Sequence, residues 1–184
     1  MNRAELELAI VTAARIVGQD HVLVIGSQSI LGTYDETRLP ARATASHEVD
    51  IAPLRDDDAE SLATRLDVVA GEWSEFDEQH GFYIQGASVR TAYLPEGWAD
   101  RVVEVRPESG TAAVGLCLEV GDLCAAKLAR NAEKGREFVE ALVAAGLVEP
   151  RVIAERLRAI SDERFSEGAR SVALALVSSY PDAP

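Results

Sequence analysis

The sequence predicts an α+β fold, a mixed sheet with flanking helices followed by a C-terminal helical part. Three observations predict it. Short apolar runs with strand-like alternation fall between about residues 20 and 120. A helical apolar period precedes them at the N-terminus. From Gly121 onward the pattern is helical throughout. The 184 residues suit one domain. The expected organisation is an α/β core over 1–119 and a helical part over 120–184, forming one compact unit.

Each element has its own signal. "AELELAIVTAARIVG" (4–18) has apolar residues at helical spacing and ends in a glycine, Gly18, suited to a C-cap. "HVLVI" (21–25) is a buried strand that Gly26-Ser27 turns into a short helix through about Leu31. "YDETRLPARATAS" (34–46) is polar and proline-broken, a loop. "HEVDIAP" (47–53) alternates around Val49 and Ile51 and stops at Pro53, a strand. "DDAESLATRLDVVAG" (57–71) is a helix with acidic residues at its N-terminal end, where the dipole favours them. "SEFDEQHG" (74–81) reads as a solvated turn. "GFYIQGA", "SVRTAYL" and "RVVEVRP" read as strands between Gly- or Pro-bearing turns, and "AVGLCLEV" as one more. "DLCAAKLARNAEKGREFVEALVAAG" (122–146) is helical, "PRVIAERLRAI" starts a helix at Pro150, and a last helix ends near Tyr180.

Composition narrows the function classes. A net charge of −13 gives no electrostatic footprint for broad nucleic-acid binding, although a local basic groove stays open. No run approaches the roughly 18 apolar residues of a membrane span, and the N-terminus lacks a signal-peptide pattern. Cys117 and Cys124 have neither CxxC spacing nor matching histidines and read as reduced core residues. The expected location is cytoplasmic, with no membrane partner. Phosphate-loop and dinucleotide fingerprints are absent: "GSQSILG" has no Gly-Lys-Ser/Thr and no G-x-G-x-x-G. It is not a G-x-S-x-G nucleophile elbow either.

The informative pair is Glu48 and Asp50 in "SHEVDI". On a strand, residues i and i+2 share a face with Cα atoms about 6.6–6.8 Å apart. Two carboxylates so placed repel unless a cation lies between them. A hard divalent ion sharing its shell with nucleotide phosphates is one solution. A solvated acidic strand is the plain alternative. Val49 and Ile51 face the other way and anchor the strand. Upstream, a buried strand feeding Gly26-Ser27 and a helix can offer backbone N–H groups to phosphate.

The order Ile25-Gly26-Ser27, then Glu48-Val49-Asp50-Ile51, resembles the signature of the DNA-polymerase-beta-type nucleotidyltransferase superfamily, hG[GS]…[DE]h[DE]h. Over roughly residues 20–160, "GSQSILGTY", "SHEVDIAPL", "GEWSEFDEQHGFYIQG", "TAYLPEGWADRVV" and the run from Gly115 to Val148 look like an uncharacterised bacterial branch allied to the AbiEii and MenT toxin nucleotidyltransferases. The resemblance implies that Gly26 and Ser27 contact a nucleoside triphosphate and that Glu48 and Asp50 hold magnesium. It makes Lys127 a phosphate or catalytic contact. Arg130 and Lys134, three and seven residues on along the helix, lie near the same face and can line one groove with it. The family's third carboxylate has no counterpart in "SVRTAYL". The acidic position of a family F-H-E run falls on Glu78, the candidate third metal ligand. Where the branch carries an arginine and an aspartate, this chain has Ala132 and Gly135.

Two functions follow. One is magnesium-dependent transfer of a nucleotidyl group from an NTP to a hydroxyl of RNA or protein, with a toxin or defence role and an antitoxin partner implied by the resemblance alone. The other is a catalytically degenerate fold that binds a nucleotide or a protein.

Overall fold

The computed structural model describes residues 1–54 and 58–181. Helix α1 (Arg3–Val17) opens on a reciprocal cap: the Glu5 N–H donates to Asn2 Oδ1 at 2.9 Å, and the Asn2 N–H donates to Glu5 Oε2 at 2.7 Å. It closes at Gly18 with φ 66°, the left-handed C-cap that the glycine announces. Five strands, β1 (His21–Val24), β2 (Glu48–Pro53), β3 (Tyr83–Gly86), β4 (Val103–Val105) and β5 (Val114–Cys117), build one sheet in the order β3-β2-β1-β5-β4. β1 runs parallel to β5 and antiparallel to β2, β2 runs parallel to β3, and β4 runs antiparallel to β5. The fold is the α+β class expected, a mixed sheet with flanking helices and then C-terminal helices.

The helices after α1 are α2 (Ala41–Thr44), α3 (Ala59–Ala70), α4 (Glu75–His80), α5 (Val120–Arg130), α6 (Glu133–Ala144), α7 (Pro150–Arg158) and α8 (Glu167–Ser178). α1 meets the sheet at Gly115, where a β-carbon would run into the Ile10 side chain. One continuous apolar core runs from Leu6 and Ile10 through Val22 and Ile51 to Leu123, Leu142 and Val177. A buried ionic knot ties in the C-terminal helices. Asp122 of α5 has no exposed side-chain surface, and Arg101 grips it with two bonds of 2.9 Å. Arg156 of α7 brings Nε to 3.0 Å from the same carboxylate. Burial pushes the Asp122 carboxyl up against the pull of Arg101. The same contact holds the Arg101 guanidinium protonated.

The structure departs from the sequence reading in four places. "SVRTAYL" is not a strand: Val89–Thr91 is a 3-10 turn whose Arg90 N–H donates to the Ser88 side chain. A Ser cap outweighs the alternating pattern there. "SEFDEQHG" is the helix α4 rather than a turn, capped by Ser74 accepting the Asp77 N–H. The loop over 34–46 contains the single turn of α2. The run from Asp122 to Gly146 is two helices, because Asn131 takes a left-handed conformation (φ 56°) between α5 and α6. Asp57, where the sequence reading starts α3, lies outside the described residues. Among the described residues no helix is long and apolar enough to cross a membrane.

Candidate active site

Strand β2 supplies the two carboxylates by its period. Val49 and Ile51 are fully buried, while Glu48 and Asp50 alternate with them and are half-buried. The Ile25 N–H donates to the Asp50 carbonyl at 3.1 Å, so the end of β1 delivers its glycine turn beside Asp50. A β-carbon at Gly26 would overlap the Asp50 carboxylate. Glycine is therefore required at 26 by close approach, since its φ of −86° is open to any residue. The turn continues as a 3-10 helix, Ser27–Gly32. Ser29 Oγ donates to the Gly26 carbonyl at 2.9 Å, and Gln28 Nε2 donates to the Ser46 carbonyl at 3.1 Å, fixing the turn to the segment entering β2.

The charges here are only partly answered. Burial pushes the Asp50 carboxyl above its ordinary range, and the Glu48 charge pushes it further, against the pull of Lys127 and Arg130. Burial likewise pushes the Lys127 ammonium down, with the Asp50 charge opposing. The Lys127 Nζ lies 5.3 Å from the centroid of the Phe138 ring. Parallel register sets Glu48 beside Tyr83, whose O–H donates to Glu48 Oε2 at 3.2 Å. The Tyr83 hydroxyl is pushed up to about 12, by burial first and then by Glu48. Among the described residues neither Glu48 nor Asp50 forms an ion pair.

Two cavities meet at this point, with Glu48 and Arg130 in the wall of both. The smaller, about 310 Å³, is lined by Ser27, Ser46, Arg42, Lys127 and Lys134. The larger, about 1060 Å³, contains Asp50 and lies along α3, with Glu60, Thr64 and Asp67 on one side and Ser88, Arg90 and Thr91 on the other. The Gly86 N–H donates to Asp67 Oδ1 at 2.6 Å, seating the end of β3 against α3.

The structure thus brings together Ser27, Glu48, Lys127, Arg130 and Lys134 around the smaller cavity, with Asp50 next to it in the larger one and Gly26 packed on Asp50. Lys134 arrives by a route other than the continuous helix expected. The break at Asn131 starts a new helix, and Lys134 lies in its first turn, with Gly135 packed against the Lys127 backbone carbonyl at 3.2 Å from a built β-carbon. Arg136 donates to Asn131 Oδ1 at 2.9 Å and so braces the break. Glu78 is not brought to the pair. It is exposed on α4 and lines neither cavity, because α4 forms a capped helix of its own. Among the described residues no group of three His, Cys, Asp or Glu side chains is placed to hold a metal ion.

Two site residues escaped the sequence reading. Arg42 sat in a stretch read as loop; it lines the cationic cavity and pairs with Glu137. Tyr83 lay within a run read simply as a strand, and only the β2–β3 register reveals it as the partner of Glu48.

The carboxylate pair suits a hard divalent cation. It offers oxygen donors only, its two charges are unpaired by any described cation, and the absent side chain at 26 leaves Asp50 room beside the turn. One or two carboxylates plus substrate phosphates is how magnesium is commonly held. A family model described as a nucleotidyltransferase of unknown function (DUF6036) matches residues 5–180. No curated protein and no solved structure matches the chain.

Proposed function

The chain belongs to the nucleotidyltransferases of unknown function (DUF6036), and from that premise we propose that it transfers a nucleotidyl group from a nucleoside triphosphate to a hydroxyl. The observation that carries this reading is the junction of a carboxylate pair on β2 with a cavity walled by Lys127, Arg130 and Lys134. Four cations around 310 Å³, Arg42 with these three, are a local exception in a chain of net charge −13 and suit a triphosphate.

The residues divide the work by charge. Lys127, Arg130 and Lys134 hold the phosphates, with Ser27 and the backbone of the Gly26 turn beside them. Lys127, half-buried against Phe138, supplies its charge where water screens it least. Glu48 and Asp50 would hold magnesium, which supplies Lewis-acid polarisation of the phosphate oxygens when bound. Tyr83 fixes the orientation of Glu48. The acceptor oxygen bonds to the α-phosphorus and the bond from that phosphorus to the β-bridging oxygen breaks. Pyrophosphate leaves with the electron pair, and the acceptor proton passes to water in the open cleft. RNA and protein both carry suitable hydroxyls. A toxin role with an antitoxin protein as partner rests on the resemblance of the motif runs alone.

A second reading is favoured by one observation: no third carboxylate joins Glu48 and Asp50 among the described residues. It is a degenerate fold that binds nucleotide without turnover. Incubation with α-phosphate-labelled ATP, CTP, GTP and UTP, magnesium, total RNA and the protein itself separates the two. Label that requires wild-type protein and vanishes with Asp50→Asn supports transfer. Metal-dependent nucleotide binding with no label on any acceptor supports the second reading.

A further inference from the structure

We infer that the acceptor hydroxyl belongs to a basic protein segment and that this segment lies in the large cleft along α3. The inference rests on the nucleotidyl-transfer reading above and decides between the two acceptor classes that reading leaves open.

The two cavities have opposite electrical character. They share Glu48 and Arg130 as a common wall. On one side Arg42, Lys127 and Lys134 face the smaller space, where the phosphates would sit. On the other side the cleft is lined by Asp50, Asp58, Glu60 and Asp67, with Arg90 as its second guanidinium. In-line displacement puts the incoming oxygen and the leaving pyrophosphate on opposite sides of the reacting phosphorus. With the polyphosphate in the cationic cavity, the acceptor comes from the acidic one.

Helix α3 builds that acidic wall by its period. Glu60, Ala63, Thr64 and Asp67 fall at i, i+3, i+4 and i+7, one stripe along the cleft. Small and hydroxyl side chains between the acids leave space and hydrogen-bonding groups. Gly86 lets the end of β3 approach so closely that a β-carbon there would overlap the Ala63 carbonyl. At about 1060 Å³ the cleft exceeds what one side chain fills and suits several residues of chain. Thr64, Ser88 and Thr91 can bond the backbone of such a segment.

An RNA strand would bring a phosphate for each nucleotide into this wall, against the field of a chain with net charge −13. A serine, threonine or tyrosine flanked by lysine and arginine brings the complementary charge.

The test offers three acceptors with labelled NTP and magnesium: the peptide Arg-Arg-Gly-Ser-Arg-Arg, its counterpart Glu-Glu-Gly-Ser-Glu-Glu, and a single-stranded RNA with a free 3′ hydroxyl. Label on the basic peptide at least tenfold above both others supports the inference. The charge reversal Glu60→Lys then lowers kcat/KM for that peptide about tenfold and leaves NTP affinity unchanged. Preferential labelling of RNA, or a basic-peptide rate indifferent to Glu60→Lys, overturns the inference while nucleotidyl transfer stands. No label on any acceptor overturns nucleotidyl transfer, and this inference with it.

Discussion

Asp50 and Asp122 are both aspartates pushed up by burial, and they meet that cost in opposite ways. Asp122 is enclosed and answered: two bonds of 2.9 Å from Arg101 and a third cationic contact from Arg156. Asp50 stands in a cavity wall beside a second carboxylate, with Lys127 and Arg130 near but no ion pair formed among the described residues. The first arrangement is closed and holds α5 to α7. The second is open and suits a cation that arrives with its substrate. Perturbed carboxylates mark structural knots as well as functional sites, and what separates the two is whether the protein completes the charge itself.

The comparison breaks most readily at the knot. Asp122→Ala leaves Arg101 and Arg156 without their shared anion, and a loss of about 3–5 kcal/mol in unfolding free energy is expected by denaturant titration. Transfer activity per folded molecule should change little. Asp50→Asn should do the reverse. Unfolding free energy in EDTA should hold or rise, since a repelled charge is removed, while label transfer falls at least a hundredfold, about 2.7 kcal/mol of barrier. Gly26→Ala touches both properties: its methyl group displaces the Asp50 carboxylate, and a cost of about 1–3 kcal/mol by thermal unfolding is expected together with weakened transfer.

A pH titration sharpens the contrast further. The folded Asp50 carboxyl holds its proton above the ordinary value of 3.8, so the folded state binds more protons than the unfolded one in that window. Its contribution to stability therefore falls as pH rises from 3.8 through the raised value, and is flat beyond it. Lys127 has the opposite sense. Its folded pKa is lowered, so stability is full above 10.5 and declines as pH falls from there through the lowered value. Unfolding of wild type and Asp50→Asn in EDTA, compared upward from the ordinary carboxyl value of 3.8, should show the steeper fall in the wild type, since Asp122 is raised in both and Asp50 adds to it only there. Equal slopes would remove Asp50 as its source. The smallest effect belongs to Tyr83→Phe, which deletes one hydrogen bond to Glu48. About 0.5–1.5 kcal/mol of stability is at stake, and magnesium-dependent nucleotide affinity should weaken modestly.

How much of this was legible follows from how local each feature is. The carboxylate pair was readable because period two on β2 needs only four consecutive residues, Glu48 to Ile51. The glycine turn was readable beside it, although the reason glycine is needed, the Asp50 carboxylate against Gly26, belongs to the β1–β2 register. The cationic cavity was half legible. Lys127 stood out through the resemblance, and Arg130 and Lys134 by their spacing from it, but the left-handed Asn131 that sets their arrangement looked like a helical residue. The segment from Ser88 to Tyr93 misled because alternation mimics a strand and a serine cap leaves no periodic trace. Arg101 and Asp122 lie 21 residues apart and meet only through the fold, so nothing in the chain announced the knot. The same holds for Glu48 and Tyr83, 35 apart.

The bond from the Gly86 amide to Asp67 has a spectroscopic consequence. An N–H held at 2.6 Å by a carboxylate is strongly deshielded, and its proton should resonate well downfield of other glycine amides. Glycine nitrogens already cluster apart in a correlation spectrum, so this one peak is easy to find among the chain's 13 glycines. Its shift and solvent exchange report whether α3 is seated against the end of β3. The width of the cleft becomes a single resonance, to be followed as nucleotide and acceptor are added in turn.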